Sequence, residues 1–99
     1  MLIRDAVYGD AQSILDLIHE LAVYEKAPDE VVATIEDIRG SLFSANPISF
    51  CKIAEVDNQI AGFAIWFLNY STWLGQPGIY LEDLFVKPEF RGSGIGHGL

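Results

Sequence analysis

Cysteine and basic residues are scarce in this chain of 99 residues, and long apolar runs are absent. A single cysteine, Cys51, excludes an internal disulfide, and no histidine or second cysteine stands at metal-ligand spacing. Neither common support of a small fold is therefore available, and the usage fits a reducing compartment. The longest apolar run, Ile60 to Leu68, has nine residues, against about 20 for a membrane-spanning helix. Arg4 and Asp5 interrupt the N-terminus where an export signal needs continuous apolar residues. The expectation is a cytoplasmic protein with no membrane association.

Six Lys and Arg against 14 Asp and Glu leave a net charge of −8. The imbalance is concentrated: eight acids lie between Asp10 and Asp37 against Lys26 alone, a net of −7 over that stretch. Such a surface repels phosphate backbones, which argues against nucleic acid and favours cationic partners; the plainer reading is a solvated face that aids solubility. What the chain does have is apolar content, at 51% of residues. A chain this short hides only about two thirds of its unfolded surface, and this apolar fraction normally lies under more polypeptide. Gly96-His97-Gly98-Leu99 carries no helix-stop signal or polar tail. The expectation is one partial domain over residues 1–99, continuing beyond them.

Leu2 to Val7 suits a first strand. Asp10 offers an N-cap, and Ile14, Leu15, Leu17, Ile18, Leu21 and Ala22 follow at helical spacing, which predicts a helix from about Asp10 to Lys26. Ala27-Pro28 ends it. Thr34 with Glu36 and Asp37 predicts a second helix to about Ser44. Phe50–Val56 and Ile60–Tyr70 read as strands joined at Asp57-Asn58-Gln59, Ser71 to Gly78 as loop, and Ile79–Val86 as a further strand interrupted by two acids. The order is strand, two helices, three strands and the start of a helix, an α+β or three-layer α/β class. His19 reads as a surface or boundary residue and Cys51 as a small buried hydrophobe.

The sharpest local signal is Arg91-Gly92-Ser93-Gly94-Ile95-Gly96 after the last strand. Three glycines let successive backbone N–H groups converge, and a helix start beyond them adds positive potential, the makings of a phosphate or pyrophosphate cradle. A dinucleotide-binding fingerprint begun at Gly92 needs its third glycine where His97 stands, and a nucleoside-triphosphate loop needs a Lys that is missing. Both fail. A flexible glycine-rich tail without ligand is the bland alternative.

Arg-x-x-Gly-x-Gly directly after Tyr80-Leu81-Glu82-Asp83-Leu84-Phe85-Val86 resembles the acetyl-coenzyme A site of the GNAT family of N-acetyltransferases. Leu21-Ala22-Val23-Tyr24-Glu25 and Trp73-Leu74-Gly75 resemble its spermidine/spermine (diamine) acetyltransferase branch, and the resemblance spans the chain. It implies the N-terminal part of the GNAT fold, with a mostly antiparallel mixed sheet and a bulge in the last strand. It also implies that Leu84, Phe85 and Val86 bind the pantetheine arm through main-chain groups. Arg91, Gly92, Ser93, Gly94, Ile95 and Gly96 would hold the pyrophosphate, and the N–H of Leu84 would polarise the thioester carbonyl, a donor worth about 3 kcal/mol of barrier.

An ammonium must lose a proton before it can attack. Glu82 is the base implied by the resemblance, and its place in an apolar strand predicts partial desolvation and a raised pKa. A regular strand sends Asp83 to the opposite face. The resemblance implies Tyr24, Glu25, Trp73, Glu82 and Asp83 as the contacts to a small cationic amine, which gains from an acidic rim and an aromatic face. Glu25 could equally be a helix-end acid and Trp73 a loop-packing residue. The implied family members continue past the glycine turn to a tyrosine that protonates the leaving thiolate. Two other readings compete with an acetyltransferase: an inactive fragment that pairs through an open strand edge, with a homodimer expected, and a coenzyme A-binding module.

Overall fold

The computed structural model describes residues 1–71, 76–92 and 94–99. Trp73 and Ser93 lie outside the described residues. The chain runs β1 (Leu2–Asp5), α1 (Ala11–Tyr24), α2 (Ile35–Leu42), β2 (Ser49–Val56), β3 (Gln59–Ser71), β4 (Gln76–Val86) and a single turn of α3 (Ile95–Gly98). The strands form one antiparallel sheet in the order β1-β2-β3-β4, so β4 is an edge among the described residues. Asp57 and Asn58 join β2 to β3 with φ of 52° and 64°. That left-handed pair is what a two-residue hairpin turn requires, and it matches the predicted turn.

The helices lie on opposite faces of the sheet. Ala11, Ile14 and Leu17 of α1 and Ile38 of α2 pack on Cys51, Ile53, Phe63, Ile65 and Phe85. On the other face Ile95 of α3 covers Ala54 and Ala61. The three layers agree with the expected class. Cys51 is buried, as expected, and burial pushes its thiol up to about 12, so it carries no thiolate at neutral pH.

Three local expectations change. Asp10 does not cap α1 through its side chain. Its backbone is already helical, and its carboxylate accepts the Val7 N–H at 2.8 Å and both terminal nitrogens of Arg4 at 2.7 and 3.0 Å. Arg4 Nε donates to Glu55 at 2.7 Å. A bidentate guanidinium–carboxylate pair outcompetes a single capping bond, and it ties β1, β2 and the entry to α1 together. The second helix keeps its predicted start: Thr34 and Asp37 exchange capping bonds of 3.2 and 2.9 Å, and it ends at Leu42 rather than Ser44. Finally, Gln76-Pro77-Gly78 is strand, not loop, because the ladder with β3 extends through Asn69, Tyr70 and Ser71. An edge strand tolerates Pro77, whose missing N–H removes no interior ladder bond.

Gly62 on β3 stands opposite Val86 on β4. A Cβ on Gly62 would lie 2.5 Å from the Phe85 carbonyl oxygen and 3.1 Å from the Val86 Cα, so only glycine allows the strands their spacing there. Gly62→Ala should destabilise the chain by about 1–3 kcal/mol, read as a lower urea midpoint with the far-UV spectrum retained.

Candidate active site

The site is built on β4, and its geometry follows from one irregularity. Ile65 pairs with Asp83 and Trp66 with Leu81, which leaves Glu82 as an extra residue in β4. This is a β-bulge, as the family resemblance implies, and it breaks the alternation of side chains. Glu82 and Asp83 consequently border one cavity of about 300 Å³, together with Glu25 and Glu30 from the chain after α1. The expectation that Asp83 leaves for the opposite face holds only for a regular strand and is corrected here.

The two carboxyls differ in solvation, and not as expected. Glu82 is exposed at the bulge, so the desolvation foreseen for it is not found. Asp83 is half-buried, and its carboxyl is raised above the usual range by burial first, then by the charges of Glu82 and Glu25. Of the two, Asp83 is the carboxyl whose surroundings disfavour its charged form. Glu30 joins the cavity without having been singled out; the acidic run from Asp10 to Asp37 was its only signal.

Beyond the bulge, pairing becomes regular again. The Lys87 N–H donates to Ala61 on β3 at 2.8 Å. In an antiparallel ladder alternate residues face the same neighbour, so Phe85 also turns its N–H and C=O to β3 while Leu84 and Val86 turn theirs to the open edge. The Phe85 side chain is 4% exposed, sunk in the α1 core. Phe85 therefore offers neither backbone nor side chain to a ligand at that edge, and the expected main-chain contacts fall to Leu84 and Val86.

A second cavity of about 390 Å³ is lined by Leu84, Val86, Phe90, Arg91, Gly92, Gly94, Ile95 and Gly96. Gly92 and Gly94 have φ of 87° and 81°, a region other residues enter only with strain. Ile95, 2% exposed, anchors the turn to the sheet. The structure thus brings together every described residue predicted for the pyrophosphate turn, beside the outward backbone of Leu84. Arg91 folds back, with Nε donating to the Val86 carbonyl at 2.8 Å. Tyr24 does not border the acidic cavity: its ring lies against the Arg91 guanidinium, 4.5 Å from ring centroid to Cζ. His19 is exposed, as expected.

The acetyltransferase (GNAT) family model matches residues 11–99. The chain belongs to the GNAT family of acetyltransferases. It is 43% identical over 104 residues to thialysine N-epsilon-acetyltransferase of Sus scrofa, covering 97% of this chain and 61% of that protein. It is 40% identical over 101 residues to spermidine/spermine N(1)-acetyltransferase-like protein 1 of Homo sapiens, covering 95% of this chain and 14% of that one. The chain thus spans about three fifths of the length of the thialysine acetyltransferase it matches. A structure of a predicted acetyltransferase with acetyl-CoA from Clostridium acetobutylicum superposes with a TM-score of 0.79 at 23% identity, over 98% of this chain and 66% of that one. At that identity the likeness speaks for the fold alone.

Because the folded-state value of Asp83 lies above its unfolded one, ionising it opposes folding; the penalty is absent below about pH 4 and grows as pH rises through the folded value. Asp83→Asn should raise the urea midpoint at pH 7, and the gap from wild type should close as pH falls toward about 4.

Proposed function

We propose that the protein of which this chain forms part transfers an acetyl group from acetyl-coenzyme A to a primary amine of a small cationic substrate, a diamine, polyamine or thialysine-like compound. The observation that carries this reading is the bulge of β4, which sets the raised carboxyl of Asp83 next in sequence to the outward backbone of Leu84. GNAT acetyltransferases use acetyl-coenzyme A, and the described residues fit it. Gly92, Gly94 and Gly96 leave backbone N–H groups and the Arg91 charge beside a cavity, and the backbone of Leu84 with the Val86 N–H offers a strand edge to an amide-bearing chain. When bound, acetyl-coenzyme A supplies an activated acetyl group.

The chain's own residues bind and deprotonate the amine, and solvent supplies the proton taken up by the leaving coenzyme A thiolate. Glu25, Glu30, Glu82 and Asp83 border a cavity with no Lys or Arg among the described residues that line it, so it concentrates an ammonium at its mouth. The amine must then shed a proton. Asp83, with its raised carboxyl, holds that proton better than a fully solvated acid, and exposed Glu82 relays it to water. The Leu84 N–H donates to an oxygen placed at the edge, where negative charge gathers as the amine attacks.

The competing reading, a module pairing through the same edge, needs the groups that a bound acyl carrier would use. The two are mutually exclusive at Leu84 and Val86. Acetylation of spermidine and thialysine by the full-length protein should appear by mass spectrometry as a gain of one acetyl group. Asp83→Asn and Glu82→Gln should each lower kcat, by about 100-fold for the true base, with affinity for acetyl-coenzyme A unchanged. Wild-type kcat in both variants would exclude these carboxylates as the proton acceptor.

A further inference from the structure

Tyr24 ends α1 with 62% of its surface exposed, so burial does not explain the ring. Its partner does. The Arg91 Cζ lies 4.5 Å from the Tyr24 ring centroid and 5.5 Å from that of Phe85, and the two rings meet edge to face at 6.4 Å. Nε of the same guanidinium donates to the Val86 carbonyl at 2.8 Å. A long, surface-exposed side chain is thus held at three points, by the end of α1, by the core ring of β4 and by the outward carbonyl of β4, while its terminal nitrogens make no hydrogen bond among the described residues.

From this we infer that Tyr24 is a positioning residue for Arg91, and through Arg91 for the anion-binding end of the site, rather than a wall of the amine channel. The inference rests on the reading above, that the glycine turn and Arg91 hold the pyrophosphate of coenzyme A. A cation held near its working place loses less rotamer freedom when the anion arrives than one that is free in solvent. The ring also gives α1 a direct contact with the glycine turn, whose other fixed point is Ile95 on the opposite face of the sheet. Tyrosine suits the task because the aromatic face supplies the attraction and the hydroxyl is dispensable.

The test is calorimetric titration of coenzyme A into the full-length protein and its variants. Tyr24→Leu should weaken binding about fivefold, the size of one exposed cation–π contact, and Tyr24→Phe should restore the wild-type value. In an Arg91→Gln background, Tyr24→Leu should cause no further loss, whereas a ring that merely stabilised the fold would weaken both backgrounds alike. Equal affinity in wild type and Tyr24→Leu, or an undiminished effect in the Arg91→Gln background, would overturn the inference and leave the site reading standing. Wild-type protein that binds no coenzyme A would remove the site reading, and the inference with it.

Discussion

Everything that distinguishes this molecule depends on how β4 is held against β3. The ladder fixes the strand firmly on one side while its other side is unpaired among the described residues, and three features combine to do this. Gly62 removes a Cβ that would strike the Phe85 carbonyl. Phe85 sinks into the α1 core and pins the strand. The bulge at Glu82 then takes up one residue, so that carboxyls a regular strand would separate share a cavity, and Leu84 turns its backbone outward. A flat, fully paired strand would supply packing and no site.

Electrostatics divide the molecule into a structural half and a chemical half. At one end the charges are matched: Arg4 is gripped by Asp10 and Glu55, and its charge holds the Asp10 carboxyl below the usual carboxylate range. Around the bulge four carboxylates border one cavity, with no Lys or Arg among the described residues that line it. The first arrangement stabilises the fold and the second costs stability. Arg91, the cation nearest the glycine turn, is held back against Tyr24 and Val86.

Much of the fold was legible because its signals are local. The α1 stripe, the Thr34 capping box and the Asp57-Asn58 turn each depend on a few neighbouring residues, and each appears where periodicity and turn chemistry place it. Asp10 was misassigned because the residue that claims its carboxylate, Arg4, lies in another element, and local capping rules do not count distant competitors. The strand over Gln76-Pro77-Gly78 was missed for a related reason, since pairing with β3 overrides a loop-like composition. Tyr24 was expected beside the acidic cavity and its ring is found against Arg91, because helix position says where a side chain starts, not which guanidinium it meets.

The sequence by itself determined the class of the fold, the family, and the glycine turn with its arginine, since these rest on periodicity and on short contiguous patterns. It also named three of the four carboxylates that border the cavity, Glu25, Glu82 and Asp83, and missed Glu30. Only the tertiary structure decided which of them is desolvated, which backbone groups face the edge left unpaired among the described residues and which rings lie against Arg91. Those properties follow from strand register and from the bulge, and a one-residue offset in pairing reverses the direction of every side chain and amide beyond it.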